Sequence, residues 1–162
     1  MGGFLAETLK LKNNMKLLEF EPKGKFVFVG DTHGDLDASK KVVDKYLRRG
    51  TKICFLGDYV DRGSKSKENV GYVIGQKRKH PKKIYTLQGN HERPDLLEFS
   101  PSDFWDGLSK EESKKYCKIF EKFPIAISVG KIIALHGALP DIRNISEING
   151  IYTTPYDLRS IS

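Results

Sequence analysis

Apolar residues in this chain fall into short unbroken runs that stop at a glycine and give way to polar groups. Phe26-Val27-Phe28-Val29, Ile53-Cys54-Phe55-Leu56 and Lys83-Ile84-Tyr85-Thr86-Leu87 are three such runs. Runs of this length bounded by turn formers read as strands buried on both faces. Between them the period changes. Leu36, Val43, Tyr46 and Leu47 share one face of a helix that stops at Gly50, and residues 66–79 read as a more polar helix that Pro81 breaks. Tyr116, Ile119, Phe120 and Phe123 fall at helical spacing, and two further apolar runs, Pro124 to Val129 and Lys131 to Leu135, flank Gly130 as a hairpin. At the N-terminus, Phe4, Leu5, Leu9, Met15, Leu17, Leu18 and Phe20 stand among lysines and predict an amphipathic helix over residues 1–20, broken near Asn13-Asn14. The tail over 146–162 reads as irregular. The order β-α-β-α-β, a further helix and a hairpin predicts an α/β fold with a mainly parallel sheet, right-handed crossovers and helices outside. One domain spans residues 1–162.

The polar groups at the strand ends carry the chemistry. In an open parallel sheet, ligands gather at the carboxyl ends of the strands. Four strands here end in residues of metal-binding type: Asp31 and His33, Asp58 and Asp61, Asn90 and His91, and His136. A mixed oxygen and imidazole set suits Mn, Fe or Zn better than Ca, which takes oxygen alone. In Gly57-Asp58-Tyr59-Val60-Asp61-Arg62-Gly63, two carboxylates and a guanidinium lie within five residues, a combination suited to holding both a cation and a phosphate. Unrelated helix caps and charged turns would not place the same chemistry at four successive strand ends.

Composition narrows the class further. With 30% charged and 38% hydrophobic residues, the chain is an ordinary globular protein, and its net charge of +7 favours anionic partners as a diffuse field. Two cysteines outside any C-x-x-C pattern form no disulfide framework and predict a reducing, cytoplasmic setting. No apolar run is long enough to span a membrane.

Gly-Asp-Thr-His-Gly at 30–34, Gly-Asp-Tyr-Val-Asp-Arg-Gly at 57–63 and Gly-Asn-His-Glu at 89–92 resemble the three motifs of the PPP-type serine/threonine protein phosphatases, within the calcineurin-like metallophosphoesterases. Phe123 to Asp141, with His-Gly-Ala-Leu-Pro-Asp, resembles that family's later strand pair and His-Gly-Gly-Leu segment. The resemblance covers about residues 25–145 and is nearest to archaeal, bacterial and phage members. It implies a βαβαβ core in which two sheets are sandwiched by helices, and two divalent cations, Mn first, then Fe or Zn. Asp31 and His33 would hold one ion, Asp58 would bridge both, and Asn90 and His136 would hold the other. A water or hydroxide between the ions would attack phosphorus, His91 oriented by Asp61 would protonate the leaving group, and Arg62 would bind the phosphate, with Asn90 also on the substrate side. The implied substrate is a phosphoprotein or phosphopeptide.

Two departures accompany the resemblance. His-Gly-Gly reads His-Gly-Ala here, and the family's further metal-binding His and second phosphate-binding Arg find no match, since no His follows His136. The expectation is a shortened version with an incomplete second sheet. His80 belongs to the opposite rim, and neither Arg143 nor Arg159 has spacing that marks it as the second Arg. Glu92 reads as a residue that orders its loop, in a pairing with an Arg; Lys77 to Lys83 reads as a solvated helix end; Phe104 and Trp105 read as core. Two other functions compete with the phosphoprotein phosphatase: a diadenosine-tetraphosphate-type nucleotide hydrolase, and a binding or regulatory domain without turnover. Nucleic acid is disfavoured, since no basic and aromatic module is present. Oligomeric state is not legible.

Overall fold

A computed structural model describes residues 15–96 and 98–151. Its strands are β1 (Leu17–Phe20), β2 (Lys25–Val29), β3 (Thr51–Phe55), β4 (Ile84–Thr86), β5 (Ala126–Val129) and β6 (Ile132–Leu135). The helices are α1 (Leu36–Tyr46), α2 (Ser66–Lys79), α3 (Asp103–Asp106) and α4 (Lys110–Phe120), with 3-10 stretches at Asn90–Glu92 and Ile145–Gly150.

The strands form two three-stranded sheets: β2-β3-β4, all parallel, and β1-β5-β6, in which β1 is parallel and β6 antiparallel to β5. Residues of β3 alternate between two apolar layers, as an all-buried run requires. Ile53 and Phe55 face the helices with Val43, Val70, Val73 and Phe120, while Cys54 faces the second sheet with Ile127 and Val129. The outer face of the second sheet, Leu17 and Ala126, is covered by Ile148 of the second 3-10 stretch. Burial of Cys54 among these groups pushes its thiol up to about 12, so it is packing material. Among the described residues, no helix is long and apolar enough to cross a membrane.

Two expectations need correction. Residues 17–20 form a strand, not the end of an amphipathic helix: Leu17 to Phe20 pair in register with Ala126 to Val129, and residues 1–14 lie outside the described residues. The tail opens with the 3-10 stretch, whose Asn144 caps it by accepting from the Ser146 N–H at 3.0 Å; residues 152–162 are outside the description. The solvated reading of the basic run also gives way at Lys77, whose ammonium lies 5.6 Å from the Tyr85 ring centroid.

The parallel sheet sends its three carboxyl ends to one rim, and backbone contacts there are unusually close. At Gly57, where φ is +120°, an added Cβ would stand 2.5 Å from the Gly89 nitrogen and 2.6 Å from its Cα. Both neighbours are main chain and cannot swing aside. Gly57→Ala should therefore lower stability by at least about 1–3 kcal/mol, read as a fall in the urea midpoint. A midpoint equal to that of the parent chain would contradict the close approach.

Candidate active site

Two of the four strand-end loops, those after β2 and β3, turn through backbone conformations that side chains rarely adopt. His33, Asp58, Asp61 and Arg62 all have positive φ, at 38°, 54°, 66° and 66°. Such residues cost on the order of 1–3 kcal/mol each and persist only where the surroundings over-determine them. The surroundings here do so. The Thr32 and His33 N–H groups donate to the Asp58 carbonyl at 3.0 and 2.9 Å, and the Gly34 N–H donates to the Tyr59 carbonyl at 2.9 Å. Asn69 of α2 reinforces this seam, donating to Thr32 Oγ1 at 2.9 Å and the Tyr59 carbonyl at 2.8 Å while accepting from Ser39 Oγ of α1 at 2.6 Å. The Tyr59 hydroxyl donates to the Leu87 carbonyl at 2.9 Å, tying the second loop to the end of β4.

Glu92 makes the strongest of these ties. Its side chain is fully buried and accepts from the N–H groups of Asp58 at 2.7 Å, Tyr59 at 2.9 Å and Gly89 at 2.9 Å. Burial, followed by the charge of Asp58, pushes its carboxyl up to about 8, against the pull of those three donors. The donors favour the ionised form, as would cations bound at Asp58. Glu92 thus orders its loop as expected, but through main-chain donors instead of an Arg.

At the rim, Asp58 Oδ2 lies 3.4 Å from His33 Nε2 and 3.5 Å from His136 Nε2. Its other oxygen, Oδ1, accepts from the His91 N–H at 3.1 Å. Asp31 also reaches both imidazoles, with Oδ2 3.8 Å from His33 Nε2 and Oδ1 3.6 Å from His136 Nδ1. Asn90 Oδ1 lies 3.0 Å from His136 Nε2. Two overlapping groups of donor atoms result, Asp31 with Asp58 and His136, and His33 with Asp58 and His91, each within 4.8 Å. Asp31 therefore stands as near to His136 as to His33, a less partitioned set than the resemblance implies.

The donor set fits a cation. His33 Nδ1 lies 2.8 Å from the Val60 carbonyl and so carries the proton that bonds it, leaving a lone pair on Nε2. That nitrogen is buried and has no hydrogen-bond partner, an acceptor that the fold itself leaves unsatisfied.

Beside these candidate ligands, His91 Nδ1 lies 2.8 Å from Asp61 Oδ2, with both side chains at most 2% exposed. Arg62 Nη2 is 3.4 Å from His91 Nε2. The structure therefore brings together Asp31, His33, Asp58, Asp61, Arg62, Asn90, His91 and His136. His80 caps α2 just before the amino end of β4, away from this rim, and Arg143 is exposed on the loop after β6; Arg159 lies outside the described residues. Sequence reasoning missed Asn69 and Ser39, which no spacing relates to the motifs. It also left unassigned the polar contacts of Phe104 and Trp105, because these side chains read correctly as core.

The family model of the calcineurin-like phosphoesterases matches residues 24–160. A probable serine/threonine-protein phosphatase of Encephalitozoon cuniculi is 30% identical over 149 residues, covering 85% of this chain and 32% of its own length. Among solved structures, a protein serine/threonine phosphatase from Saccharomyces cerevisiae matches with a TM-score of 0.68 at 26% identity, over 84% of this chain and 47% of that one. A putative diadenosine tetraphosphatase shares the fold, with a TM-score of 0.55 at 20% identity over 81% of this chain and 58% of that one. The chain thus spans about a third of the curated relative and about half of the yeast structure. With the family model matched over residues 24–160, which take in the whole parallel sheet and every rim residue, the chain belongs to the calcineurin-like phosphoesterase family.

Proposed function

We propose that this chain hydrolyses phosphoserine or phosphothreonine monoesters in proteins, using two divalent cations. The observation that carries the reading is Asp58 Oδ2, set 3.4 and 3.5 Å from imidazole nitrogens of two different strand-end loops, so that this carboxylate would be available to a cation on either side. The phosphatase names of the relatives support the substrate class.

Asp31, His33, Asp58, Asn90 and His136 would hold the cations. When bound, the cations supply Lewis acidity, which makes water a nucleophile near neutral pH and offsets phosphate charge. Arg62 binds the phosphate oxygens in a fork, and its charge is close to His91 Nε2, so a held phosphoester presents its leaving oxygen to that nitrogen. His91 donates the proton, and Asp61 on Nδ1 fixes the ring and stabilises its charged form.

Hydrolysis of p-nitrophenyl phosphate with added Mn²⁺, beside an Asp58→Asn variant, tests this reading. Turnover by the parent chain should fall more than about 100-fold in the variant, beyond the loss typical of groups that only orient ligands. A folded parent chain that hydrolyses no phosphoester in any divalent metal would leave a binding domain instead. Rates on a phosphopeptide above those on a dinucleoside polyphosphate are expected, and the reverse order would reassign the substrate.

A further inference from the structure

We infer that Trp105 is a positioning residue for proton transfer, holding the main chain that carries His91; the inference rests on the reading of His91 as the general acid. Residues 103, 104 and 105 each touch a different functional residue. Asp103 Oδ1 lies 3.4 Å from the Arg62 nitrogen, the Phe104 N–H donates to Asp61 Oδ1 at 2.8 Å, and Trp105 Nε1 donates to the His91 carbonyl at 2.9 Å. The two oxygens of Asp61 are thereby divided. Oδ2 holds the His91 ring and Oδ1 is fixed by α3, so the carboxylate cannot rotate away from the ring without losing a main-chain bond.

Trp105 completes the restraint from the other side. A ring position depends on the backbone that bears it, and the indole N–H fixes that backbone at the His91 carbonyl. The anchor is itself rigid. Phe104 and Trp105 are 5% and 8% exposed, and their rings meet Tyr116 and Phe120 of α4 at centroid distances of 5.0 and 6.0 Å. Phe99 packs against the His91 ring at 4.2 Å. General acids need placement to within about 0.5 Å of the productive geometry, and a hydrogen bond to a bulky buried side chain provides it. The competing account is that a buried indole simply needs an acceptor. On that account its loss would affect every substrate alike.

The two accounts part on leaving-group dependence. Phenyl phosphate expels a phenol whose pKa is about 10, as for tyrosine, and depends on an acid; p-nitrophenyl phosphate expels a far better leaving group and depends on it little. Trp105→Phe removes the N–H donor. Because Trp105 is the single tryptophan of the chain, biosynthetic replacement by its benzothiophene analogue, with sulfur in place of N–H, removes the donor while keeping the ring shape. Both proteins should lose about five- to tenfold in kcat on phenyl phosphate, the scale of one hydrogen bond, and less than about twofold on p-nitrophenyl phosphate, with KM unchanged. The His91 Nδ1 proton should also exchange faster with water in metal-free NMR spectra. Equal losses on both esters, no loss on either, or an unchanged exchange rate would overturn the assignment while leaving the hydrolase reading intact. A parent chain inactive on both esters would overturn the hydrolase reading and this assignment with it.

Discussion

His91→Asn is expected to lower kcat on a phosphoserine peptide by about 10²–10⁴-fold, the usual contribution of a positioned acid. Asparagine can set an N–H where Nδ1 stands, so Asp61, fully buried, keeps a donor and the core is not left with an unpaired charge. Of the two ring nitrogens, only Nε2 is left without a counterpart. Mn²⁺ affinity measured by calorimetry should then stay close to that of the parent chain. The measurement matters because the donor atoms of His91, His33 and Asp58 lie within 4.8 Å of one another, so the ring also stands within reach of a cation. A fall in affinity as large as the fall in kcat would make His91 a ligand and remove it from proton transfer.

The second large effect is expected at Glu92. Glu92→Ala strands the N–H groups of Asp58, Tyr59 and Gly89 in a fully buried space. Each orphaned donor costs about 1–3 kcal/mol, so the total, roughly 3–9 kcal/mol, is comparable to the whole stability of a small domain. The variant should be largely unfolded at 37 °C by circular dichroism. Glu92→Gln keeps one acceptor and turns an amide N–H₂ towards at least one donor, so it should fall between the two in urea denaturation. A Glu92→Ala chain with the parent midpoint would show that these donors find other partners and that Glu92 does not hold the loops.

Much of this arrangement was legible in the residues, for identifiable reasons. Ile53 to Phe55 form a strand because an unbroken apolar run can be buried on two sides, and the chain supplies both layers. Asp31, His33, Asp58, Asp61, Asn90, His91 and His136 were readable because ligand types recur after each strand, and parallel topology carries those ends to one rim. What was not readable depends on distance along the chain. Leu17, Leu18 and Phe20 are apolar residues near lysines, which locally suit an amphipathic helix; only β5, far downstream, makes residues 17–20 a strand. The hold of Phe104 on Asp61 runs through a main-chain N–H, a group that every non-proline residue has, so no side-chain pattern announces it. Asn69 and Ser39 meet across two helices whose crossing is fixed only in the folded protein.

The pairing of β1 also sets an order in time. Leu17 cannot find its partners Ala126 and Asn149 until nearly all of the described chain has been made, whereas β2, β3 and β4 have all been made once residue 86 has emerged. On a ribosome, three of the four ligand loops therefore become available long before His136, and the Phe26 and Tyr85 face of the first sheet waits without its cover. Loop closure over such a span is slow, so the nascent protein passes through an interval in which a half-built sandwich exposes aromatic surface to whatever chaperone or neighbouring chain is at hand.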